Sequence, residues 1–116
     1  MFVPIWLETN SDFRFSGESL GIFRTFRQAF VSLMKKLISK ERFTKSLYIE
    51  NSGLDIGNIT DDEFIPFLYE KYIQDTSETN ENLFVKTERL RNMLEDTGDD
   101  LIYEEWDFRI DFHEIE

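Results

Sequence analysis

Gly17-Glu18-Ser19-Leu20-Gly21 has the G-x-S-x-G spacing that presents a nucleophilic serine in hydrolases, and His113 further along could serve as its base. The scaffold such a serine needs does not fit here. The elbow stands on a central strand of a large sheet and borrows an oxyanion donor from an earlier strand-to-helix loop, yet only eighteen residues precede Ser19. The next helix-start signal lies at Thr25 rather than at Ser19. Gly17 and Gly21 suit a hairpin turn that requires positive φ. The expectation is a turn over residues 16–21, with a hydrolase using Ser19 as the last of three functional readings.

His113 is the sole histidine and there is no cysteine, which excludes disulfide frameworks, thiolate metal sites and cysteine nucleophiles. On the alternation of the final segment His113 shares a wet face with Asp111, as a solvated terminal-strand residue. The carboxylate pairs Asp61-Asp62, Asp99-Asp100 and Glu104-Glu105 are oxygen donors for a hard cation, but none has a known site's spacing. Read as a calcium loop, residues 96–107 put Gly98 at a ligand position and Leu101 at the turn glycine. The frame from Asp55 ends on Pro66. Phosphate-binding glycine motifs are missing as well. The sequence therefore predicts no metal, no cofactor and no enzyme.

Charge is the stronger signal. Residues 1–46 hold eight Lys/Arg against four Asp/Glu, residues 47–116 five against twenty, and the whole chain is at −11. A strongly negative molecule is repelled by phosphate backbones, so direct nucleic-acid binding is disfavoured and a basic protein is the better partner. Between Glu95 and Glu116 stand ten acidic residues and one basic one, Arg109. Glu105, Asp107 and Asp111 fall on alternate positions of a strand, where residues two apart are separated by about 6.6 Å. Asp99, Asp100, Tyr103, Glu104, Glu105, Trp106, Asp107 and Asp111 form the expected partner-binding set, with Tyr103 or Trp106 as an aromatic anchor. The plain alternative is a solubilising outward face.

The elements that must position these residues begin with Met1 to Glu8, a strand apolar on both faces that Pro4 should delay or place at an edge. Asn10-Ser11-Asp12 signals a turn, and Phe13-Arg14-Phe15 alternation. Thr25-Phe26-Arg27-Gln28 is a capping box, followed by the helical stripe Phe26, Ala29, Phe30, Leu33, Met34, Leu37 and Ile38. The opposite face carries Arg27, Lys35, Lys36 and Lys40. Leu47-Tyr48-Ile49 and Leu54-Asp55-Ile56 read as short strands. Thr60 to Glu63 is a second box, with Pro66 placing the helix start at Asp62 or Glu63. Residues 74–82 read as a mobile loop. A third helix is expected from about Asn82 to Glu95, with Leu83, Phe84, Leu90 and Leu94 inward and Gly98 as its C-terminal cap. Trp106, Phe108, Ile110 and Phe112 face inward along the last strand.

Together these predict a single α+β domain over residues 1–116, with a small mixed or antiparallel sheet and about three helices. The apolar runs are too short to span a membrane or to form a signal segment, and the cytoplasm is the favoured compartment. The leading functional expectation is a non-enzymatic acidic binding protein, of the inhibitor or immunity kind, that occupies a basic partner, a nucleic-acid-binding protein among the candidates, as a nucleic-acid mimic would. The second is an assembly protein whose basic helix face, Lys35, Lys36 and Lys40, meets the acidic strand face of another copy.

Overall fold

The computed structural model describes residues 1–9, 15–73 and 83–114. In chain order they form β1 (Phe2–Thr9), β2 (Phe15–Ser19), α1 (Phe26–Ser39), α2 (Lys45–Ser52), α3 (Asp61–Leu68), a π-helical turn (Tyr69–Ile73), α4 (Leu83–Thr97) and β3 (Trp106–Phe112). This is an α+β chain with an antiparallel sheet and, among the described residues, four helices. Two compact units divide it, Met1–Lys36 with Asp100–Glu116, and Leu37–Asp99. None of the described helices is long and apolar enough to cross a membrane.

In the first unit β1 lies between β2 and β3 and pairs antiparallel with both. The central position of Pro4 corrects the expectation of an edge strand. In an antiparallel ladder the N–H and C=O of one residue point to the same neighbour. The Pro4 carbonyl accepts the Leu20 N–H at 2.9 Å, so the missing donor faces the β2 side, just past the point where β2 ends at Ser19. No bond to β3 is lost.

The glycine motif is mostly strand rather than turn: Ser16 to Ser19 belong to β2, and only Gly21, at φ 128°, has the positive φ expected of both glycines. The expected turn and alternation at residues 10–14 lie outside the described residues.

Helix α1 begins as its box requires. The Gln28 N–H donates to Thr25 Oγ1 at 3.1 Å, while Gln28 Oε1 accepts the N–H groups of Thr25 (3.3 Å) and Arg24 (3.1 Å). Phe26, Ala29, Phe30, Leu33, Met34 and Leu37 are all buried. Three contacts set α1 against one face of the sheet: Phe26 meets Phe2 edge-on at 6.0 Å, the Ser32 hydroxyl donates to the Leu20 carbonyl at 3.2 Å, and Lys36 Nζ lies 2.9 Å from Glu18. On that same face Trp6 and Trp106 are buried and stacked, ring centroids 5.3 Å apart.

In the second unit, residues 47–49 are helical, not extended. Thr44 Oγ1 accepts the Leu47 N–H at 3.1 Å, and Gly53, left-handed at φ 73°, closes α2 with its N–H on the Ile49 carbonyl. That helix accounts for the difference between four and about three. Residues 54–56 are irregular rather than a strand, with Asp55 Oδ1 turned onto the Gly57 N–H.

Helix α3 starts at Asp61, one residue before the expected range. Its box is also built differently, since the Thr60 hydroxyl donates to Glu63 Oε1 at 2.8 Å instead of capping a backbone amide. Pro66, sixth in the helix, cannot donate to the Asp62 carbonyl. At the end of α3 the Tyr69 N–H is shared between the Ile65 and Pro66 carbonyls, and the chain continues as the π-helical turn. Along α4, Leu90, Met93, Leu94 and Thr97 are buried. Phe84, expected inward, is 72% exposed, because it falls off that i, i+3, i+4, i+7 stripe. The expected loop at residues 74–82 lies outside the described residues.

Tyr48 is buried among Phe43, Phe64, Phe67 and Tyr72, and its hydroxyl shares a 2.7 Å hydrogen bond with that of Tyr72. Burial, then the bond to Tyr72, push its phenol well above the ordinary value of 10.0. A raised native value favours the neutral phenol, so this contribution is fully present below about pH 10 and is lost as pH climbs toward the native value. Urea unfolding measured at rising pH should show stability falling above about pH 10, and Tyr48→Phe should flatten that fall. An unchanged slope in the variant would assign the alkaline loss to other groups.

Candidate protein-docking surface

The sheet face away from α1 is built by the odd-numbered residues of all three strands. Register places Val3 opposite Asp111, Ile5 opposite Arg109 and Leu7 opposite Asp107, with Ser19 and Gly17 across from Ile5 and Leu7 on the other side. Val3, Ile5 and Leu7 are half-buried, whereas Gly17, Ser19 and Arg109 are exposed. Gly17 leaves Ile5 and Leu7 uncovered on the β2 side, since a Cβ there would touch both at 3.4 Å. The face is therefore an apolar stripe with charged residues along its β3 border.

The expected binding set divides between several settings. Asp107 and Asp111 do share this face. Their charge is partly used within the chain: Asp107 Oδ1 accepts the Phe108 N–H at 2.7 Å, and Asp111 Oδ1 lies 2.9 Å from Arg109 Nε. Asp100, Tyr103, Glu104 and Glu105 are exposed on the turn leading into β3. That turn is tied to β1, because the Glu105 carbonyl accepts the Thr9 N–H at 2.9 Å and the Glu104 carbonyl accepts the Thr9 hydroxyl at 2.9 Å. Tyr103 is held at φ 75°, unusual for a side chain of that size.

Two members of the set have other work. Asp99 belongs to the second unit, where its carboxylate meets the Arg42 guanidinium at 3.2 Å and its N–H donates to the Arg42 carbonyl at 3.0 Å. It anchors the end of α4. Trp106 is fully buried against Trp6, which corrects its role as a surface anchor and leaves Tyr103 as the accessible ring of the two. Phe112, expected inward, is 51% exposed, with its ring against Phe2 at 5.1 Å.

Sequence reasoning missed Val3, Ile5 and Leu7 as site residues. Their signal was present, since a strand apolar on both faces in a three-stranded sheet leaves one apolar row to be covered or offered.

Ser19 and His113 are not brought together. Ser19 lies opposite Ile5 on β2, while His113 exchanges backbone bonds with Met1 beyond the far end of β3. Two strand spacings and four residues of rise separate them by on the order of 15 Å. The Ser19 hydroxyl instead accepts the Gly21 N–H at 3.4 Å. Among the described residues no group of three or more His, Asp or Glu side chains is arranged to hold a metal ion. Of the basic helix face, Lys35 and Lys40 are exposed and Lys36 is engaged with Glu18. Comparison with family models, with curated proteins and with solved structures finds no match for this chain.

Proposed function

We propose that the chain is a non-enzymatic acidic binding protein, of the inhibitor or immunity kind, that docks the outer face of its sheet on a basic protein. The observation that carries this reading is the row Val3, Ile5 and Leu7 lying directly beside Asp107 and Asp111. Productive interfaces join a water-excluding apolar centre to a polar rim, and both halves of that design occur here within one sheet. Glu104, Glu105 and Asp100 extend the negative border along the turn, where they would speed encounter and select against acidic partners. The same balance of charge disfavours direct binding to nucleic acid and favours a protein whose own function is to bind it. The cytoplasmic setting expected from a cysteine-free sequence belongs to the same proposal.

The test is a paired capture. Wild-type chain and the triple variant Glu105→Lys, Asp107→Lys, Asp111→Lys are immobilised side by side, and a protein retained by the wild type is purified for kinetics. The expected result is a basic protein whose association is slowed about ten- to a hundredfold by the variant, mostly in the on-rate and with strong salt dependence. Equal association with both chains would leave the carboxylates as a solubilising coat.

A further inference from the structure

The edge of β3 is a second surface, distinct from the outer face. In β1 the odd residues face β3, since the Thr9 N–H donates to the Glu105 carbonyl and the His113 N–H to the Met1 carbonyl. The odd residues of β3 therefore bond to β1, and the even residues turn their N–H and C=O groups to the other side, where no further strand lies among the described residues. Local caps cover the first part of this edge: the Tyr103 N–H donates to the Trp106 carbonyl at 2.6 Å, and the Phe108 N–H is held by Asp107. Beyond them, Ile110 and Phe112 carry the edge onward, and Phe112 is half exposed.

We propose that β3 pairs antiparallel with β3 of a second copy of this chain, centred on Ile110, joining two three-stranded sheets into one of six strands. Charge selects both the occupant and the register. With Ile110 opposite Ile110, Arg109 of each copy stands opposite Asp111 of the other, and Asp107 opposite His113, so no like charges face one another along β3. Centring the pair on Arg109 instead would oppose Arg109 to Arg109 and Asp107 to Asp111. Centring it on Phe108 would oppose Glu105 to Asp111, and centring it on Asp111 would oppose that residue to itself.

The Ile110 register also lays Phe112 beside Phe108 of the other copy, covering an exposed ring. Asp107 would hand the Phe108 N–H to the incoming Phe112 carbonyl, so its present contact works as a cap on the strand edge. The contact is isologous and closes at two copies.

The inference needs no foreign partner, and its experiment contains none, so its failure and that of the docking reading are distinguishable. Sedimentation equilibrium at physiological ionic strength, where the Debye length is about 8 Å and the remaining like charge is largely screened, should show the wild type as a concentration-dependent dimer. Arg109→Asp alone and Asp111→Arg alone each convert two attractive cross-strand pairs into two repulsive ones and should weaken self-association about tenfold or more. An equimolar mixture of the two should recover wild-type affinity as a heterodimer, although neither chain regains its own Arg109–Asp111 pair.

Circular dichroism checks that each variant is folded, and Arg109→Glu with Asp111→Lys is the second pair if either fails. A wild type that stays monomeric at its highest soluble concentration overturns the proposal and leaves the edge to a strand of another protein. Single variants that dimerise as tightly as wild type, or a mixture no tighter than its components, overturn it equally.

Discussion

Trp106→Ala is expected to destabilise the first unit by about 3–4 kcal/mol, read from urea unfolding followed by far-UV circular dichroism. The indole is fully buried, and its ring lies nearly parallel to that of Trp6, 11° apart, with centroids separated by 5.3 Å. A buried tryptophan removes about 200 Å² from water, worth about 5 kcal/mol at 25 cal/mol per Å². Against this stands one liability: neither the Trp106 nor the Trp6 Nε1 has a hydrogen-bond partner among the described residues. Deleting Trp106 relieves that cost, on the order of 1 kcal/mol, which brings the net loss to the lower part of the range for Trp→Ala.

Trp106→Phe should cost much less, because it keeps a ring on Trp6 and also removes the unpartnered donor. The consequence reaches the candidate surface. Trp106 is the first residue of β3, so the packing that pins it also fixes the pleat on which Asp107 and Asp111 point to the other face. A loss below about 1 kcal/mol in the alanine variant would mean that the two indoles do not hold the strand, since even partial burial of such a ring is worth more.

The parts of this architecture that were legible in the sequence are those where one local signal sufficed. Thr25 and Gln28 cap α1 reciprocally, and its stripe from Phe26 to Leu37 is buried as the 3.6-residue period requires. The period-two alternation of β3 gave Trp106, Phe108 and Ile110 their inward face and Asp107 and Asp111 their outward one. Legibility failed where tertiary context overrode a short pattern. Leu47-Tyr48-Ile49 has the composition of a strand, but Thr44 and Gly53 bracket a helix of eight residues in which Tyr48 is the buried residue.

Pro4 reads as an edge residue until β2 is seen to end beside it. The stripe of Val3, Ile5 and Leu7 was visible as an apolar strand face. Its meaning depends on which face α1 covers, and contacts such as Phe2 with Phe26 and Glu18 with Lys36 decide that; no single segment encodes them. The same dependence makes Asp99 and Trp106 the least legible members of the acidic set. Asp99 meets Arg42, 57 residues earlier in the chain, and Trp106 lies on Trp6.

Gly98 carries the second large expectation, and it reverses the reason a glycine was anticipated there. A glycine just past a helix usually supplies a left-handed residue, but the positive-φ glycines among the described residues are Gly21 and Gly53, and Gly98 is not one of them. What position 98 requires is space. A Cβ would lie 2.8 Å from the Leu94 carbonyl oxygen and 3.1 Å from Phe43 Cδ2. The first obstacle is backbone that also accepts the Gly98 N–H at 2.9 Å, and the second is the ring of a fully buried phenylalanine.

Neither can yield cheaply, so Gly98→Ala is expected to cost about 2–3 kcal/mol, the upper part of the range for overpacking. The strain has a definite route outward, because the Gly98 carbonyl accepts the Asn51 side-chain amide at 3.2 Å and the adjacent Asp99 holds Arg42. Amide hydrogen exchange should therefore show lost protection at the end of α4 and around Asn51 and Arg42. As a control, Gly57→Ala, where a Cβ meets only Asp55 Oδ1 at 3.5 Å, should stay within about 1 kcal/mol of wild type. Equal stability of the two variants would show that the end of α4 can move away from Phe43 at no cost, and the close approach would then be incidental to the packing of this unit.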